Sequence, residues 1–444
     1  MNKQLNRRDF LRSAALNSAG LVILSNSRLV RGTQANEKLN VACIGVGGRG
    51  AADVNGVGAT ENIYALCDVD EKHAAQTFEK YPQAKRYKDF RRMLDEIQDK
   101  IDAVVVGTPD HIHAVAGMAA MKLGKHCYCE KPLTHSVYEA RQMANLAREK
   151  KLVTQMGTQI HAENNYRRVV ELVQTNAIGK IREVHVWLAA DFKGPPTPTD
   201  IFQPNLPSDS PPVPETLDWD LWLGPAPWRP YNHIYLPANW RKWWDFGTGT
   251  LGDMGCHIID PVFWALDLGY PTSVEANPNK FTKEGYPTET TVHWEFPARG
   301  DLPAVTVTWN DGNRRPDRPA ELEAGRKLPS QGGLYYGEKG TILAPHGSTP
   351  MLIPYSKMRG VKMPEPFLGR GVNHYQDWIK ACKGGPKPLA NFDYAGPLSE
   401  TILLGNVAAL AGEKVLWDGP NLRATNVPEA NEHLKRNYRA GWQL

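Results

Sequence analysis

No apolar run in this 444-residue chain is long enough to cross a bilayer; the candidate at residues 13–24 is short and only mildly apolar. Cysteine is scarce. The six residues Cys43, Cys67, Cys127, Cys129, Cys256 and Cys382 match neither a zinc spacing nor a disulfide framework. Several sit in apolar strand-like runs, where cysteine serves as a small buried hydrophobe. Cys127 and Cys129 flank Tyr128 on one strand and cannot easily bridge each other. His161 and His233 have no partner at a ligand spacing, so no metal is expected. Internal repeats and low-complexity segments are absent. Surplus charge is also missing from most of the chain. The formal +4 comes from Lys3, Arg7, Arg8, Arg12, Arg28 and Arg31 set against Asp9 alone; without residues 1–35 the balance is 46 basic to 47 acidic. Nucleic acid and anionic membrane therefore have no electrostatic hold on the remainder. With 41% hydrophobic and 23% charged residues, disordered and collagen-like classes are excluded, and the length implies two domains.

The surplus at the start has its own meaning. Asn6-Arg7-Arg8-Asp9-Phe10-Leu11 resembles a twin-arginine export signal. The weak apolar stretch behind it and the tripeptide Thr33-Gln34-Ala35 complete a signal peptide over 1–35, with cleavage after Ala35. This predicts a periplasmic or otherwise exported protein with no membrane insertion after cleavage. The bland alternative is a disordered basic leader with a chance arginine pair.

From 36 to 158, strand-like runs at Leu39–Ile44, Asn62–Cys67, Ala103–Val106, His126–Cys129 and Val153–Met156 alternate with helical patterns. That alternation predicts an α/β domain with a doubly wound parallel sheet of the Rossmann kind. Beyond it, over 159–370, the texture predicts an α+β domain with an open, mostly antiparallel sheet. A proline-rich irregular stretch at roughly 192–240 reads as a binding loop or lid. Helical runs within 371–444 are expected to pack back across both domains.

Gly45-Val46-Gly47-Gly48-Arg49-Gly50 follows the first strand and opens a helix. Gly45 permits the tight turn, Gly47 the approach of a pyrophosphate, and Gly50 close packing of helix on sheet. Gly48 and Arg49 lie in the same loop, and the helix N-terminus offers N–H groups to phosphates. Asp68 ends the second strand, where an acid binds the adenosine ribose hydroxyls. Asp70 and Glu71 beside it favour NAD over NADP, while Arg49 is a cation that could reach a 2′-phosphate.

Two further motifs follow strand ends, where open α/β sheets bind ligands: Thr108-Pro109-Asp110-His111-Ile112-His113 and Glu130-Lys131-Pro132. Thr108, Pro109, His113, Glu130 and Lys131 are accordingly candidates for the cofactor. Later, Asp253 and His257 are spaced to share a helix face, and Pro261 should kink or end that helix. Taken singly, Lys131 reads equally as a surface-turn lysine, His257 as a core histidine and Asp253 as a helix cap.

The glycine loop, the Glu130-Lys131-Pro132 tripeptide and the Asp253/His257 pair together resemble the Gfo/Idh/MocA family across essentially the whole mature chain. The resemblance implies a nicotinamide ring lying between the two domains and a cis Lys131–Pro132 peptide. It implies that His257 is the general base toward a substrate hydroxyl and that Lys131 stabilises charge on the reacting oxygen. Asp253 would bind neighbouring hydroxyls or orient His257. It also implies a homo-oligomer formed through the exposed face of the second sheet.

Thirteen tryptophans include Trp219, Trp222, Trp228, Trp240, Trp243 and Trp244, crowded just before Asp253. Their rings suit either the apolar faces of sugars or a core wrapped by proline-rich chain. Trp243, Trp244 and Arg241 are the candidates for substrate contact, with Tyr166 and Gln159 weaker ones for lining the cleft. The expected function is NAD-dependent oxidoreduction at a secondary hydroxyl of a sugar, glycoside or polyol, with tightly held cofactor recycled in place. The alternative is a glycosidase that oxidises the sugar transiently, eliminates the aglycone and reduces the product. A non-catalytic dinucleotide or sugar binder is disfavoured by Lys131, Asp253 and His257 occurring together.

Overall fold

The computed structural model describes residues 37–189, 206–358, 360 and 363–444; the expected signal peptide and the first prolines of the 192–240 stretch lie outside these. The first sheet has six strands: β1 (Asn40–Ile44), β2 (Asn62–Cys67), β3 (Lys85–Tyr87), β4 (Ala103–Val106), β5 (His126–Cys129) and β6 (Thr154–Met156). All are parallel, in the order β3-β2-β1-β4-β5-β6. Continuous apolar sequence suits a sheet covered on both faces, and every residue of β4 is buried. The crossover helices are α1 (Gly48–Gly58), α2 (Glu71–Lys80), α3 (Phe90–Ile97), α4 (Asp110–Lys122) and α5 (Val137–Glu149). Side chains fix where several begin. Asp70 and Asp89 accept N–H bonds at the heads of α2 and α3, and Ser136 with Glu139 forms a reciprocal capping box on α5. Strand order reverses between β1 and β4, which opens a crevice at their carboxyl ends.

After α6 (Asn164–Gln174), β7 (Ile181–Ala189) enters a second sheet. It is joined there by β8 (Ser273–Pro278), β9 (Thr290–Phe296), β10 (Val305–Gly312), β11 (Gln331–Gly337), β12 (Gly340–Pro345), β13 (Met351–Ile353), β14 (Val415–Asp418) and β15 (Arg423–Ala424). The nine strands run β13-β12-β11-β7-β10-β9-β8-β14-β15, antiparallel except for the β7/β10 pair. The sheet is therefore the mostly antiparallel one expected, but wider. Residues 333–343 fall within the hairpin β11–β12.

Between β7 and β8 the chain forms α7 (Trp219–Leu223), α8 (Gly249–Ile258) and α9 (Asp260–Ala265). Pro261 lies in the first turn of α9, so the break after α8 falls where proline predicts it. Near the end, α10 (His374–Cys382) packs on α1, and α11 (Phe392–Ala411) wedges between α5, β8 and α8. Arg141 on α5 grips Glu400 on α11 through bonds of 2.7 and 2.8 Å. One apolar core continues from Val104 through Leu251 to Leu403, so both domains share an interior. Among the described residues no helix is long and apolar enough to cross a membrane.

Candidate active site

A cleft of about 480 Å³ runs along the carboxyl ends of the first sheet, from Asp68 and Phe90 to Lys131 and His257. The glycine loop forms its floor. Gly45 has φ +74°, and a Cβ there would lie 2.7 Å from the Thr108 nitrogen. A Cβ on Gly50 would lie 1.9 Å from the Gly45 carbonyl oxygen, so only glycine lets α1 seat against the loop. No side chain caps α1, and its first turn carries no acid, which leaves its N–H groups and dipole available to an anion. Thr108 Oγ1 is buried at the cleft without a protein partner. These features fit a dinucleotide pyrophosphate. Asp68 braces the loop as well as lining the cleft: Oδ2 accepts from Val46 N–H at 2.7 Å and Gly47 N–H at 3.2 Å. Burial raises its pKa, and each carboxylate oxygen keeps lone-pair capacity for a hydroxyl.

Arg49 does not reach toward the ribose position. Its Nε donates to Glu130 Oε1 at 3.2 Å, and Nη2 donates to Asp53 Oδ1 at 2.8 Å and to the Tyr375 hydroxyl at 2.6 Å. Burial opposes its charge, but Glu130 and Asp53 outweigh burial and raise its pKa. Asp53 is fully buried; desolvation first, and then the Glu130 carboxylate, push its pKa well up. Gln159 donates to Glu130 at 2.6 Å and closes this end.

At the same end, the Lys131–Pro132 peptide is cis, as the resemblance implied. Lys131 Nζ donates to the Asp253 carbonyl at 2.8 Å and to Oδ1 at 2.5 Å, and Arg241 Nε donates to the same carboxylate at 3.0 Å. Burial alone would raise the Asp253 pKa; Lys131 and Arg241 overcome it and hold the carboxyl below the usual range. Asp253 thus grips the lysine and arginine, while its expected contact with His257 is not formed. His257, one turn along α8, lines the cleft. Burial, then the charges of Lys131 and His346, drive its pKa well below that of a free histidine. Its Nδ1 is enclosed without a partner.

Several expected residues stand elsewhere. Trp243 has no exposed surface and packs on Tyr235 at 4.9 Å, inside a cluster with Trp219, Trp222 and Phe246. Trp244 turns to Tyr286, 3.6 Å between ring centroids, and donates to the Thr282 and Gly285 carbonyls. Neither lines the cleft: Trp243 takes the core alternative, and the half-buried Trp244 is taken up by Tyr286 and two carbonyls instead of a sugar face. Trp222 and Trp240 do line it. Tyr166 is buried, and its hydroxyl meets His346 Nδ1 at 2.5 Å rather than the cleft. His113 also lies outside the lining: its nitrogens contact the Pro132 and Thr108 carbonyls at 2.8 and 2.9 Å, stapling the two strand-end turns together. Arg241 and Pro109 reach the cleft as expected.

Three groups escaped the sequence reading. Asp110 lines the cleft, accepts from Thr248 at 2.7 Å, and is pushed by burial to a pKa of about 6; its place in the Thr-Pro-Asp turn was the available signal. His346, 6.2 Å from His257 between ring centroids, follows β12 with no motif around it. Trp442 lines the opposite end from a segment without periodicity. Among the described residues, no three His, Cys, Asp or Glu side chains gather as a metal site.

Residues 39–158 match the oxidoreductase family, NAD-binding Rossmann fold, and residues 202–300 match the oxidoreductase family, C-terminal alpha/beta domain. The chain belongs to the Gfo/Idh/MocA family. A levoglucosan dehydrogenase of Pseudarthrobacter phenanthrenivorans is 24% identical over 240 residues, 50% of each chain. A glycosyl hydrolase family 109 protein of Shewanella pealeana is 28% identical over 207 residues, 40% of this chain and 44% of the relative. The match spans about half the length of these Gfo/Idh/MocA relatives. The WlbA dehydrogenase from Bordetella pertussis, solved with NADH and UDP-GlcNAcA, shares the fold. Its TM-score is 0.60 at 16% identity, covering 86% of this chain and 99% of that one.

Proposed function

We propose that this chain is an exported, NAD-dependent oxidoreductase that removes hydride from a secondary hydroxyl carbon of a sugar, glycoside or polyol. The reading is carried by one observation: the glycine loop, Asp68, Lys131 and His257 line a single cleft. NAD in that cleft supplies the hydride acceptor. The protein supplies the proton chemistry and the positioning. His257, held neutral by its buried setting, accepts the hydroxyl proton at Nε2, because Nδ1 is enclosed. Two Lys131 N–H groups are fixed on Asp253, and the third is left to bind the reacting oxygen and stabilise its charge. Asp253, kept anionic, is a positioning residue for that ammonium. Asp68 and Asp70 beside the ribose position favour NAD over NADP, and Arg49 is engaged with Glu130 instead of a 2′-phosphate.

Arg7-Arg8 supports export of the folded, cofactor-loaded protein. Outside the cytoplasm, NAD that cannot exchange must be regenerated in place by a second substrate or by the later half of the same reaction. The relative named as a glycosyl hydrolase favours the second reading, a glycosidase working by transient oxidation, elimination and re-reduction. A homo-oligomer formed through the second sheet is part of the proposal, and its mass in solution tests it. Protein purified without added cofactor and then denatured should release NAD(H). Native protein given glycosides should form oxidised sugar only when an acceptor is added; aglycone release without net NADH would favour the glycosidase. Absence of any bound or bindable dinucleotide would overturn both. Arg7→Lys with Arg8→Lys should abolish export, which fractionation of the cells reads directly.

A further inference from the structure

Residues 434–444 have no periodic pattern, yet they are clamped along their length. The Leu434 carbonyl accepts from Tyr138 N–H at 2.9 Å. Arg436 Nε and the Tyr438 hydroxyl both donate to Glu139 Oε1, at 2.9 and 2.6 Å, on a carboxylate that is almost wholly buried. Arg439 then crosses to the second domain. Its backbone N–H donates to the Pro225 carbonyl and its Nε to the Gly224 carbonyl, each at 3.0 Å. Its Nη2 donates to the Asp220 carbonyl at 2.8 Å, and its guanidinium pairs with the Asp220 carboxylate. Lys122 Nζ holds the Leu444 carbonyl at 2.5 Å.

Between these clamps Trp442 enters the cleft wall. Its ring centroid lies 5.9 Å from that of Phe90, and the Arg91 guanidinium covers it at 4.3 Å. Arg91 is itself fixed on Asp89 by bonds of 2.7 to 3.1 Å. Asp89 and Phe90 follow β3, the strand next to β2 and Asp68. This is the end remote from His257, where a dinucleotide whose ribose meets Asp68 must place its base.

We propose that Trp442 is the base-binding wall for the adenine of NAD, and that the Arg439 clamp, by holding this wall, lets the chain retain its cofactor. The inference rests on the dinucleotide reading above and deepens it. A ring already fixed by Arg91 and Phe90 gives up little freedom when a base stacks on it, so its contact area converts efficiently into affinity. Retention follows from slow dissociation, which is where affinity differences within one site mostly lie.

NADH is the probe, with the full-length protein freed of cofactor and reloaded. Trp442→Ala should raise its dissociation constant roughly 5- to 150-fold, the range for losing one base–aromatic stack, mainly through faster release. Trp442→Phe should bind within about threefold of wild type, since it keeps an aromatic face. Tryptophan-sensitised NADH emission should fall in Trp442→Phe while affinity holds. Arg439→Ala, which leaves the cleft lining intact, should speed NADH release and raise hydrogen exchange over 440–444. Should Trp442→Ala fail to fold, Trp442→Leu takes its place, with apolar bulk but no ring. An alanine or leucine variant that binds NADH within about twofold of wild type overturns this inference alone. A wild-type protein that binds no NADH overturns the dinucleotide reading and this inference with it.

Discussion

At the His257 end of the cleft, two charged groups stand side by side, Lys131–Asp253–Arg241 and Arg49–Glu130, held by bonds of 2.5 to 3.2 Å. At the Phe90 end, Leu221, Trp442 and Phe90 present apolar walls drawn from segments far apart in the chain. The difference is physical. Buried charges leave a costly unpaired group behind when one partner is removed, so the first end should fail abruptly. Apolar contact is additive and non-directional, so the second should weaken by degrees.

His257→Ala tests the contrast hardest. Turnover should fall roughly 10²- to 10⁴-fold, the span for loss of a general base, with NAD retention unchanged. Unchanged turnover would remove the base assignment. Trp243→Ala comes next and acts only through the aromatic cluster. Stability should drop by about 3–5 kcal/mol in denaturant titration, while KM of the folded fraction stays put. A changed KM would return Trp243 to the substrate site. Lys131→Met should lower turnover roughly 10²- to 10³-fold, as when one stabilising donor is lost. It should also cost up to about 3 kcal/mol of stability, the low end for a broken buried pair, because Arg241 still meets Asp253.

Acid sensitivity is the mildest test. Burial holds His257, His111 and His135 well below an ordinary histidine. The unfolded chain binds their protons near pH 6.5 and the folded chain only at much lower pH. Stability is therefore complete above about 6.5 and declines as pH falls, by up to about 1.4 kcal/mol per pH unit for each histidine. The acid limb of turnover should likewise fall below 6.5. A limb at 6.5 would mean that His257 is not desolvated.

Most of the first domain was legible because its signals are local. Asn62–Cys67, Ala103–Val106 and His126–Cys129 are apolar runs bounded by turns, and their ends coincide with β2, β4 and β5. β3 was not, because Lys85-Arg86-Tyr87 is a short edge strand with exposed cations. The glycine loop and the Lys131 turn were legible for the same local reason. Side-chain direction was not. Nothing in the spacing shows that Asp253 faces Lys131 instead of His257, or that Arg49 turns to Glu130. Trp243 and Trp240 are three residues apart in one buried cluster, yet only Trp240 also lines the cleft, and only the path of the loop decides which. Trp442 was invisible because its role depends on clamps to Glu139, Gly224 and Asp220, none of them near in sequence.

The double engagement of Asp68 has a consequence for redesign. In many dinucleotide sites an acid at this position is exchanged for a small or basic residue to admit a 2′-phosphate. Here that exchange would also strip the acceptor from the Val46 and Gly47 N–H groups and loosen the turn beneath the pyrophosphate. On the proposed NAD reading, cofactor preference and loop shape are thus inherited together. A change of specificity in this chain would have to arrive with a replacement acceptor, a second mutation that neither selection nor an engineer obtains in one step.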